Sequence, residues 1–190
     1  MRAVVVPPVP ALLAAYAGLE DPVPELRAAA REAVSWLVED HPASVELRGD
    51  PAHPGHGQDR GVGVPLAVRV AQTLLGEAGF AERLVETGPG AGDAPATLVL
   101  ANGSARRSER APGHLDERSF DFDAAIEAAL RSGEPGALAG IDAGLGAALM
   151  AAGVPALQWL GGRPRPESAE VGYADDPYGV AYWVARWAWR

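Results

Sequence analysis

The residues best suited to chemistry gather in one stretch, residues 97–130, which reads TLVLANGSARRSERAPGHLDERSFDFDAAIEAAL. Ser104 follows an apolar, β-prone run and could act as a nucleophile at a strand end. Its context is Asn-Gly-Ser-Ala, not the Gly-x-Ser-x-Gly of a nucleophile elbow. His114, ten residues on, could serve as its base, but no acid is set to orient that ring, and a turn-forming serine is the plainer reading. Arg106, Arg107, Arg110 and Arg118 could grip a carboxylate or phosphate in bidentate fashion. They alternate with Glu109, Asp116, Glu117, Asp121 and Asp123, so ion pairing within the chain is the better-supported role. Asn102, the chain's single asparagine, stands at the strand end beside them. Elsewhere, His53 and His56 form a His-x-x-His pair with Asp50 and Asp59 nearby, a set that could bind a divalent metal. Their Gly/Pro-rich loop has nothing to orient the rings, so a solvated loop is the plainer reading there too.

The elements that must position these residues follow from periodicity. Thr97 to Leu100 is nearly all apolar, as expected of a strand buried on both faces. Residues 101–104 break it, and from Phe122 the residues Phe122, Ile126, Ala129 and Leu130 share one helical face. Strand, polar loop and helix make half of a βαβ unit, in which ligands bind beyond the strand's carboxyl end. Ala3 to Val6 predicts another central strand, ended by Pro7-Pro8-Val9-Pro10, with a helical turn or two over residues 11–19. A helix is expected after Asp21-Pro22-Val23-Pro24, with Leu26, Ala30, Val34 and Leu37 facing inward. Ser44 to Leu47 reads as a strand. Val64 to Phe80 reads as a helix with Pro65 in its first turn and Gly79 as its cap. Residues 81–87 suit a strand or a helical extension. Residues 137–152 suit a helix broken near Asp142, residues 155–160 a strand or a buried segment, and residues 167–173 the last strand. Residues 178–189 (YGVAYWVARWAW) hold three of the five tryptophans; helical spacing would stack Tyr182 or Trp183 on Arg186 and Trp187. The whole, residues 1–190, is expected to be one α/β domain, with a mostly parallel central sheet and helices on both faces.

Composition narrows the chemistry. The chain has no cysteine, which excludes disulfides, zinc–thiolate sites and a cysteine nucleophile. It has no lysine, since all 16 basic residues are arginine, which excludes Schiff-base chemistry and a Walker-type phosphate loop. A net charge of −9 disfavours nucleic acid as a partner. The amino-terminal apolar run is too short and proline-rich for a signal peptide or membrane span, so a cytoplasmic location is expected.

Three segments together resemble the class III extradiol ring-cleavage dioxygenases, in the LigB-like branch related to the Memo proteins. The segment 101–106 (ANGSAR), followed by Ala111-Pro112-Gly113 and Phe122-Asp123, resembles that family's Gly-Asp-Leu-Ser-His turn, proline loop and helix-opening Phe-Asp. Residues 6–13 (VPPVPALL) resemble its Pro-His-Pro-Pro-Leu-Leu turn, and residues 176–182 (DPYGVAY) its Pro-Tyr-Gly-Val-Gly-Tyr segment. The resemblance implies a three-layer LigB-like, phosphorylase/hydrolase-like sandwich. It also implies a non-haem Fe(II) held by two histidines and a carboxylate, open to catechol and O₂. The histidine positions fall at Val9 and near Ala105, and the Asp at Asn102; valine and alanine offer no lone pair. Glu170 is the candidate for the carboxylate. A LigB-like fold without the ancestral metal chemistry is therefore the leading expectation, with no cofactor. Two alternatives stand beside it: an active Fe(II) dioxygenase using relocated ligands from His53, His56 or His114 with Glu170, and a small-anion module built on Arg106, Arg107 and Arg110. A small anionic or aromatic ligand is expected if any is bound. A homodimer through the aromatic carboxyl-terminal segment is the expected assembly.

Overall fold

The structure, a computed structural model, describes residues 1–16, 21–49, 64–80, 83–86 and 94–190. Its centre is a six-stranded sheet formed by β1 (Arg2–Val6), β2 (Ser44–Arg48), β3 (Arg83–Glu86), β4 (Ala96–Leu100), β5 (Ser168–Asp175) and β6 (Tyr182–Ala188), in the order β3-β2-β4-β1-β6-β5. The strands β3, β2, β4 and β1 run parallel, whereas β6 pairs antiparallel with β1 and β5 antiparallel with β6. The sheet is thus mixed, a parallel half joined to an antiparallel hairpin.

The pleat of the central strands sorts the core into two layers. Val4 and Val6 of β1 pack with α1 (Pro24–Val38) and α2 (Leu66–Glu77). Ala3 and Val5 of the same strand pack on the other face with α3 (Arg118–Ser132), α4 (Pro135–Ala139) and α6 (Val154–Gly161). Helices therefore cover both faces, and a central strand has no polar face to show. This is why β1 and β4 read as unbroken apolar runs.

Several expected elements form with small shifts. The turns after β1 are two short 3₁₀ segments, Pro10–Leu12 and Ala14–Tyr16. α2 begins after Pro65, and Gly79 follows it at φ +75. The break near Asp142 separates α4 from α5 (Ala143–Ala148), and the Asp142 side chain caps α5 by accepting from the Leu145 N–H at 3.0 Å. α3 starts at Arg118, four residues ahead of Phe122, so Arg118 belongs to the helix and not to the preceding loop.

Two expectations are corrected. Residues 155–160 lie within α6 and are not a strand: Pro155 sits in the helix's first turn and the double glycine 161–162 ends it. The carboxyl-terminal aromatic segment is strand β6 and not a helix, so β5 is not the last strand. Alternation puts Tyr182 and Val184 on the α1 side and Trp183, Ala185 and Trp187 on the α3 side. Trp183 and Trp187 are each only 1% exposed, and Trp187 donates its indole N–H to the Leu130 carbonyl at 2.9 Å. The aromatic surface expected to face a second copy is therefore mostly core; Tyr178 remains exposed and Trp189 half-buried. No helix among the described residues is long and apolar enough to cross a membrane.

Candidate functional site

β1 and β4 end side by side, with Val6 in register with Leu100, and β6 begins at Tyr182 on that same edge of the sheet. The loops leaving this edge enclose a cleft of about 200 Å³. Pro8, Val9 and Pro10 form one wall, Asn102 and Pro112 another, and Tyr178, Val180 and Tyr182 a third. These come one by one from the three segments that carry the family resemblance. Leu66 and Ala67 of α2 and Ala152-Gly153 ahead of α6 close the remainder.

The proline wall is held from below. Arg27 of α1, only 5% exposed, donates to the carbonyls of Leu12 (2.8 Å) and Ala11 (2.5 Å), and its Nε donates to Asp21 Oδ2 at 2.6 Å. The hydrogen bond from Arg27 and a second from the Val23 N–H hold the Asp21 carboxyl below its ordinary range. One guanidinium thereby fastens the turn after β1 to α1. At the opposite wall, Gly153 has φ +74, and a Cβ there would lie 2.2 Å from the Leu100 carbonyl oxygen. Only glycine permits this approach, and it brings the Ala152 carbonyl to the Asn102 N–H at 3.1 Å.

Beside the cleft, the loop 102–105 is fixed by a buried carboxylate. Asp123 of α3, 3% exposed, accepts from the Ser104 N–H at Oδ1 (2.8 Å) and from the Ser104 hydroxyl at Oδ2 (2.5 Å). Arg107 Nη1 donates to Asp123 Oδ2 at 3.2 Å, and Arg107 Nε donates to Asp176. The Arg107 guanidinium also lies 4.8 Å from the centre of the Phe120 ring. Burial pushes the Asp123 carboxyl above its ordinary range, and the Ser104 and Arg107 hydrogen bonds offset part of that. The loop is laced to the rest of the fold by Gly103 N–H to Ala181 O (2.8 Å) and Ala181 N–H to Ser104 O (3.0 Å).

The residues singled out by type and spacing therefore separate. Ser104 is fully buried and its hydroxyl is committed to Asp123, while His114 Nδ1 lies 3.2 Å from the Glu109 carbonyl on the exposed loop, so the two share no hydrogen bond. Arg106 pairs with Asp116 at 3.5 Å, Arg107 with Asp123 and Asp176, and Arg110 is exposed; none of the three lines the cleft. Glu170 lies mid-strand in β5, paired with Arg186 at 2.7 Å and registered across the sheet toward Val4, away from the cleft lining. His53 and His56 lie outside the described residues. Asn102 and Val9 do line the cleft, and Ala105 is buried beside it. Sequence reasoning missed Asp123 as an anchor and Tyr178 and Tyr182 as cleft walls. An aspartate in a helix interior, where that residue type is a poor helix former, was the available signal for the first.

Asp116 gives a pH test of the outer loop. Its hydrogen bonds from the Arg118 guanidinium hold its carboxyl down to about 2. A carboxyl lowered in the folded state adds stability above its unfolded value of 3.8, and loses it as pH falls toward 2. Urea titrations should show wild type more stable than Asp116→Asn at pH 6, with the gap closing between pH 4 and 2. A gap independent of pH would contradict the pairing.

No family model matches this sequence, and no curated protein matches it.

Proposed function

We propose that this protein is a LigB-like member of the class III extradiol dioxygenase superfamily that has lost the ancestral metal chemistry and kept the cleft as a binding site. The observation that carries this reading is the meeting of all three family-like segments at one cleft on the strands' carboxyl edge. Under it the mixed sheet with helices on both faces is the superfamily's three-layer sandwich, in a cytoplasmic protein.

The described residues do not fit an Fe(II) centre. A facial triad needs two imidazoles and a carboxylate converging on one point. Val9 and Ala105 stand at the histidine positions and have no lone pair, and the described cleft lining contains no histidine, aspartate or glutamate. What the cleft offers is a carboxamide and two phenols among apolar walls, groups that bind and orient a ligand.

Elemental analysis of untagged protein, as purified and after anaerobic Fe(II) loading and desalting, tests the proposal. The expected result is well under one-tenth of an iron per chain and no catechol cleavage. One tightly held iron per chain would overturn it.

A further inference from the structure

Two polar side chains in the cleft lack adequate partners. Asn102 is 2% exposed, and the one hydrogen bond of its side chain among the described residues is a long one, 3.4 Å, from Nδ2 to the Gly103 carbonyl. Tyr182 is 5% exposed, and its hydroxyl has no hydrogen-bond partner among the described residues; burial pushes its ionisation far up, so it stays neutral. The unpartnered atoms of both residues still reach the open space of the cleft, since neither is among the described buried side-chain atoms that lack a partner, so a ligand there can replace water on them. Two such groups facing one cleft mark places where a bound molecule completes the hydrogen bonding.

The walls define the rest of that molecule. Among the described residues no charged side chain lines the cleft, so an ionised ligand would be desolvated without a counter-charge. The one feature favouring an anion is the start of α6, which has no side-chain cap. That start is mostly spent: Pro155 has no N–H, and the Ala156 and Leu157 N–H groups already donate to the Gly153 carbonyl at 2.9 and 3.1 Å. A volume of about 200 Å³ is a little above the roughly 150 Å³ that accommodates benzene in an engineered cavity, so one ring fits. An asparagine amide offers a donor and an acceptor side by side, and its best complement is another amide edge.

Resting on the reading of the cleft as a metal-free binding site, we infer that it takes a neutral, single-ring ligand bearing a primary carboxamide or lactam edge, paired with Asn102 and hydrogen-bonded to Tyr182.

The test uses the full chain with benzamide, benzoate and toluene as probes, with dissociation constants from calorimetric or NMR titration and metal content measured on the same sample. Benzamide should bind saturably and at least tenfold more tightly than benzoate or toluene. Tyr182→Phe, which keeps the ring's packing, should weaken benzamide about tenfold for the loss of one hydrogen bond. Asn102→Asp should abolish binding by placing an unpaired charge at the amide edge. Benzoate or toluene binding as tightly as benzamide, an unchanged benzamide affinity in Tyr182→Phe, or no saturable benzamide binding would each overturn the inference. Iron in the sample would overturn the proposed function instead, whereas metal-free protein that ignores benzamide would refute this inference alone.

Discussion

Asp123→Ala is expected to lower unfolding free energy by about 3–5 kcal/mol, the cost of removing one member of a buried, hydrogen-bonded charge set. The truncation leaves the Ser104 N–H and hydroxyl without their acceptor, and leaves the Arg107 guanidinium with Asp176 alone. Asp123→Asn keeps the size and one acceptor for the Ser104 N–H, but aims an NH₂ group toward Arg107 or the Ser104 hydroxyl. It should cost about 1–2 kcal/mol. Urea midpoints at fixed slope separate the two variants. Equal costs for Ala and Asn, or a negligible cost for both, would show that the carboxylate does not anchor the loop.

The pH dependence of this position carries its own sign. Burial raises the folded-state value of Asp123 above its ordinary 3.8, so the folded protein holds that proton more tightly than the unfolded chain. Its protonation stabilises the fold, and that stabilisation is full below 3.8 and lost as pH rises through the folded value. The advantage of wild type over Asp123→Asn should therefore be greatest in acid and shrink toward neutrality, the reverse of the Asp116 pair. A charged network within one loop would then show two opposite slopes, set by burial at Asp123 and by the exposed Arg118 partner at Asp116.

The sequence made the frame of the site legible but not its contents. β1, β4, α1 and α2 were readable because each is long enough, or apolar enough, for its period to stand out. Pro65 and Gly79 marked the ends of α2 by their backbone preferences. Residues 155–160 were misread because PALQWL is a short apolar run, which periodicity alone cannot assign to helix or strand. The segment YWVARWA was misread for a related reason. With β1 and β5 on either side and helices on both faces, β6 has no solvent face, and its alternation sorts one buried layer from another. The loop beside the cleft depends on long-range pairing: Ser104 meets Asp123 across 19 residues, and Arg107 meets Asp176 across 69. No local pattern encodes those partners. The polar atoms of Asn102 and Tyr182 are conspicuous only once the fold has brought them to the same cleft.

Gly161→Ala is expected to be the most damaging single-methyl insertion outside the site, and its comparison with Gly76→Ala isolates the reason. Both glycines lie in the last turn of a helix, where alanine is intrinsically better by up to about 1 kcal/mol. At Gly76 a Cβ meets nothing within 4 Å, so that preference should appear in full and raise Tm by roughly 3 °C for a chain of this size. At Gly161 a Cβ would stand 2.1 Å from the Ala139 N and 2.7 Å from both the Leu138 carbonyl carbon and the Pro135 oxygen. All three are backbone atoms of α4, so no side chain can swing aside, and the two helices must separate. Leu138, Leu157 and Leu160, each fully buried at that contact layer, would lose packing together. Overpacking against backbone should cost about 3 kcal/mol, a fall of roughly 10 °C in Tm. The shift should move the start of α6, and with it Gly153 and the cleft wall it forms, so benzamide affinity should fall in the same variant. A Gly161→Ala protein with unchanged Tm would mean that α4 and α6 do not meet at this glycine.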